Sequence, residues 1–142
     1  MVVEKSAVKN LWCIRLNSGD DVLLSLSEAV KKHGINNAII IAGTGSTVNC
    51  HYHVVVTSDF PFKNVDIKKE NPSDILNING LVINGRVHAH ITHADKEIAY
   101  GGHLEEGVKV CSFLSITLAE VDIDLEHWDT VGKGAIEELR KK

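Results

Sequence analysis

Arg86-Val87-His88-Ala89-His90-Ile91-Thr92, followed by the tip Ala94-Asp95-Lys96-Glu97 and then Gly101-Gly102-His103, is the stretch on which the fold turns. His88 and His90 are two residues apart, so in a β-strand both rings leave one face while Ala89 and Ile91 leave the other. Asn84-Gly85, just before, is a strong two-residue hairpin signal and makes Ile75–Ile83 the preceding strand. A two-residue loop at Asp95-Lys96 predicts that His88 faces His103 and that His90 faces Gly101. Directly opposed Cβ atoms lie about 4.5–5.5 Å apart, and a glycine opposite leaves room for a bound atom. His88, His90 and His103 are therefore expected to form a divalent-metal site with an open fourth position. Neutral imidazole suits zinc, iron, nickel or copper, and zinc is the expected ion. His93 has the opposite parity and should point away from the site.

Working outward, Asn10–Leu16 reads as a strand, and Ser18-Gly19-Asp20-Asp21 supplies capping side chains for a helix. Val22, Leu26, Ala29 and Val30 keep helical spacing, and Lys31, Lys32 and Gly34 suit its C-terminal end. Ala38–Ala42 is a continuous apolar run, expected to be a strand buried on both faces. Gly43-Thr44-Gly45 is expected to be a tight turn, because Val48 stands where a dinucleotide fingerprint needs its third glycine. Thr47–Thr57 is rich in strand formers, with His51 and His53 on one face, read as surface or interface histidines. Asp59–Ser73, holding Pro61 and Pro72, reads as an irregular connection. Ile98–His103 and Val108–Val121 complete the strands, and Glu137–Lys142 reads as a short terminal helix. One firm helix against six or seven hairpin-joined strands predicts an α+β fold with a largely antiparallel sheet.

The 142 residues are expected to form a single domain spanning 1–142. Acidic residues number 19 against 15 Lys and Arg, a formal net charge of −4. That balance excludes a protein that coats nucleic acid with its whole surface. Cys13, Cys50 and Cys111 are widely spaced and odd in number, so neither a disulfide framework nor a cysteine zinc knuckle is expected. No apolar leader and no run near ~20 apolar residues is visible, which predicts a cytoplasmic, membrane-free protein.

Gly43-Thr44-Gly45-Ser46, Asp74-Ile75-Leu76-Asn77-Ile78-Asn79-Gly80, the His88-x-His90 strand and Gly101-Gly102-His103-Leu104 with Gly107 and Val110 occur in an order that resembles the PPC domain. That domain is shared by plants and prokaryotes and accompanies AT-hooks in plant nuclear proteins. The resemblance implies an α+β fold, a homotrimer and, as in stand-alone prokaryotic members, a bound divalent metal and association with DNA. No Arg-Gly-Arg core of an AT-hook is present, so the element that reads the A·T minor groove is missing. Two functions are compatible with these residues. One is a trimeric, metal-containing binding module with DNA as a partner. The other is a small metal-dependent enzyme in which Glu105 or Glu97 serves as general base.

Overall fold

The structure, a computed structural model, describes residues 1–130. The expected terminal helix at Glu137–Lys142 lies outside them. Eight strands, β1 (Val8–Asn17), β2 (Ala38–Thr47), β3 (Cys50–Val55), β4 (Asn64–Lys69), β5 (Ser73–Ile83), β6 (Arg86–Ala94), β7 (Ala99–Leu104) and β8 (Val110–Val121), form one sheet. Its order is β1-β8-β2-β5-β6-β7-β3-β4, with every neighbouring pair antiparallel.

The helix α1 (Val22–Lys32) begins where the sequence places it: Asp21 caps it by accepting a hydrogen bond from the Leu24 amide. The same carboxylate accepts from the Gly107 amide at 2.8 Å, tying the helix start to the loop before β8. Gly34, at φ +65°, follows the C-terminal end. Val22, Leu26 and Val30 of α1 are fully buried with Ile40, Ile78, Ile91, Leu114 and Ile116 of the sheet. One face of the sheet is thereby the core, and the residues of opposite parity form an outer face.

Four expectations are corrected. The Asp59–Ser73 connection contains β4, in which Val65 and Ile67 alternate with Asp66 and Lys68 and Ile67 packs against the core. Ile39 and Ile41 of β2 are 42% and 51% exposed, so the Ala38–Ala42 run is buried on one face only. Gly43-Thr44-Gly45 is no turn but the middle of β2. A Cβ at Gly45 would collide with the Phe113 carbonyl, and one at Gly43 with the Ile78 side chain. Glycine is needed there for close approach of neighbouring strands.

The fourth correction concerns register. The β6–β7 turn has four residues, Asp95–Ile98, because Asp95 Oδ1 accepts from the Glu97 and Ile98 amides and its own amide donates to the Ile98 carbonyl. His90 therefore pairs with His103, and Thr92 with Gly101. A slip of two keeps parity, so all three histidines still share the outer face. Gly101 leaves no room for an ion: its missing side chain lets β7 approach the Ile91 carbonyl.

Candidate metal centre

His53 on β3, His103 on β7 and His90 on β6 lie in one row across three strands, each directly opposite the next. His88, two residues along β6, completes a floor of four imidazoles on the outer face. Three of these rings are the expected His88, His90 and His103, but the group whose ligand atoms come within 4.8 Å of one another is His53, His103 and Glu105. Ring centres are 4.8 Å apart for His88 and His103, 5.6 Å for His90 and His103, and 5.7 Å for His88 and His90. An imidazole nitrogen about 2.1 Å from zinc puts its ring centre about 3.2 Å from the ion, and tetrahedral angles then separate ring centres by about 5.2 Å. The three observed separations bracket that value.

His53 is not a bystander on the surface. Its ring stacks on His103 at 4.4 Å and 17°, and its Nδ1 donates to Glu105 Oε1 at 2.5 Å. His53, His103 and Glu105 have ligand atoms that all lie within 4.8 Å of one another, a second donor set that shares His103 with the first. The signal for His53 was in the sequence: it shares a strand face with Val55. What sequence could not supply was the pairing of β3 with β7.

Two carboxylates sit behind the rings. Asp129, from the segment after β8, accepts from His88 Nδ1 and from Arg86 Nη2, both at 2.7 Å. Glu105 holds His53 and lies 3.4 Å from His103 Nδ1, but without hydrogen-bond geometry, so that nitrogen is buried and has no hydrogen-bond partner. A carboxylate on Nδ1 fixes the tautomer and leaves Nε2 as the electron-pair donor. Burial lowers the pKa of His90, with His88 and His53 adding to the effect. Burial likewise lowers that of His103, helped by His53 and His88 and opposed by Glu105. Both rings are thus biased toward the neutral form that a metal requires. For Asp129, burial alone would raise the pKa, but the hydrogen bonds and charges of Arg86 and His88 hold it below the ordinary carboxylate value. An orphaned buried nitrogen on His103 and the lowered pKa values of His90 and His103 suit a divalent metal ion.

The remaining candidates fall elsewhere. His93 points into the core as its parity requires, fully buried, with Nδ1 hydrogen-bonded to Ser73 Oγ at 2.9 Å and its ring stacked on Tyr100. Burial, reinforced by the charge of Lys69, pushes its pKa down to about 4. His51 donates from Nδ1 to the Glu106 carbonyl and lies 3.7 Å from Asp66. Glu97 sits in the β6–β7 turn, ion-paired to Lys96, and Glu105 is the only one of the two base candidates beside the histidines. A cavity of about 500 Å³ opens on the imidazole floor, walled by Val54, Val55, Phe62 and Asn64.

The chain belongs to the Plants and Prokaryotes Conserved (PCC) domain family, whose model matches residues 3–122. Among solved structures it is similar to a metal-containing protein from Archaeoglobus fulgidus, at 22% identity and a TM-score of 0.75, covering 87% of this chain and 88% of that one. A plant- and prokaryote-conserved protein from Pyrococcus horikoshii is 25% identical with a TM-score of 0.72, covering 87% of each chain. A candidate DNA-binding protein from Bacteroides thetaiotaomicron is 19% identical with a TM-score of 0.71, covering 83% of each. No curated protein matches the chain in sequence. Among the described residues, no helix is long and apolar enough to cross a membrane.

Proposed function

We propose that this chain is a metal-containing, ligand-responsive binding module: His88, His90 and His103 hold one divalent cation, zinc by donor chemistry, and the module works as a homotrimer in the cytoplasm, in association with DNA. The observation that carries this reading is the gathering of the three rings on one sheet face with centres 4.8, 5.6 and 5.7 Å apart, a spacing an ion can bridge once the ring nitrogens turn toward it. Asp129 and Glu105 orient the imidazoles, and His53 buttresses His103 by stacking. The bound ion supplies a Lewis-acidic position that a small ligand can occupy from the cavity. A trimer would cover the sheet edges that β1 and β4 leave open among the described residues. Association with DNA rests on family membership and on the names of similar structures, since the formal charge is −4 and no AT-hook core is present.

Elemental analysis of the purified protein tests the metal: one equivalent in the wild type, lost in His90→Ala and retained in His51→Ala. Equal metal in the His90→Ala protein would refute the assignment. Gel-shift titration across salt tests the DNA partner, because phosphate neutralisation must make affinity fall steeply with salt. No binding at low salt would remove it. A second reading, a metal-dependent hydrolase or lyase with Glu105 as base, is favoured by one observation, the cavity beside the histidines. Turnover of simple esters or 2-oxo acids that disappears in Glu105→Gln while metal is retained would move the protein to that class.

A further inference from the structure

Resting on the metal reading above, we infer that the cavity over the imidazole floor takes a small monocarboxylate with a short aliphatic tail, its carboxylate on the ion and its tail against Val54, Val55 and Phe62. The charge balance selects one negative charge. Among the described residues, two carboxylates, Glu105 and Asp129, stand around the histidines with one guanidinium, that of Arg86, which shares Asp129 with His88. A dication added to these groups leaves a single positive charge, which a monoanion cancels. A dicarboxylate or a phosphate would bring a second charge into a space where, among the described residues, no lysine or arginine lines the wall.

The shape of the site selects the tail. Its polar groups are the imidazole rings at the floor and Asn64 at the rim, while Val54, Val55, Phe62 and Gly102 make up the rest. Phe62 and Val55 are 41% and 58% exposed and belong to neither core cluster, so their apolar surface has no use in the fold of the single chain. An acetate would reach the ion and leave this wall wet. Butyrate adds two methylenes that can lie on it, which is enough for about a tenfold gain in affinity.

The test uses the full chain loaded with cobalt(II), whose visible absorption reports on its coordination. Cobalt is titrated first, then acetate, butyrate, succinate and inorganic phosphate. The expected result is a spectral change with butyrate at about one-tenth the concentration needed for acetate, with succinate and phosphate weaker than butyrate. In Phe62→Ser and in Val55→Ser, both at partly exposed positions, cobalt affinity stays unchanged and the preference for butyrate shrinks. Equal affinity for acetate and butyrate, a preference for phosphate, or a butyrate preference that survives both substitutions would overturn the inference while leaving the metal site standing. Failure of cobalt itself to bind would remove the metal reading, and this one with it.

Discussion

His93 should set the acid stability of this domain. Its ring is fully buried in the core, its pKa is lowered from 6.5 to about 4, and its Nε2 has no partner. The folded state therefore binds a proton less readily than the unfolded chain, and stability is complete above pH 6.5 and lost as pH falls toward 4. With those two values, acidification from pH 7.5 to 5.0 costs about 2 kcal/mol through this one residue. His90 and His103 shift in the same direction, so the contribution must be isolated by difference. Urea unfolding of the metal-free protein at the two pH values, in wild type and His93→Asn, provides that difference. The variant is less stable at pH 7.5, having lost the stacking on Tyr100, but its further loss on acidification is smaller than that of the wild type by about 2 kcal/mol. An equal loss in both proteins would refute a buried neutral imidazole at this position.

Three other outcomes are expected. Asp129→Asn, which removes the carboxylate from His88 Nδ1, should weaken metal binding about 10- to 100-fold in a competition titration with little effect on the fold. Gly45→Ala should destabilise by about 3 kcal/mol, because the new methyl meets the Phe113 carbonyl, whereas Gly85→Ala, with open space around a positive φ, should cost about 1 kcal/mol in the same thermal melts. Asp21→Ala should cost about 2 kcal/mol, since it removes a helix cap and the Gly107 anchor together, and amide exchange should quicken in the first turn of α1.

What sequence could show, and what it could not, divides along physical lines. Strand alternation put His88 and His90 on one face and His93 on the other, and the capping residues located α1 within a residue, because both are local rules. The facing pairs were displaced by two, since Asp95 closes a longer turn through its side chain than the Asp95-Lys96 dipeptide suggests. The three rings still share a face because a slip of two preserves parity. How His53, Glu105 and Asp129 meet the other histidines was beyond reach for a different reason. Their partners are set by which strands become neighbours, and Asp129 is 41 residues from His88 along the chain. β4 was hidden by its two flanking prolines and by its charges, which are what an edge strand should carry.

Of the described strands β8 comes last in the sequence, and in the sheet it lies between β1 and β2 and joins them. A nascent chain that has emerged as far as β7 consequently holds its first strand with no hydrogen-bonded neighbour, and β2 with one side bare. Only when residues 110–121 leave the ribosome can the two halves be zipped together. Asp129 lies beyond β8 in the sequence, so its grip on His88 forms only after all eight described strands have been translated.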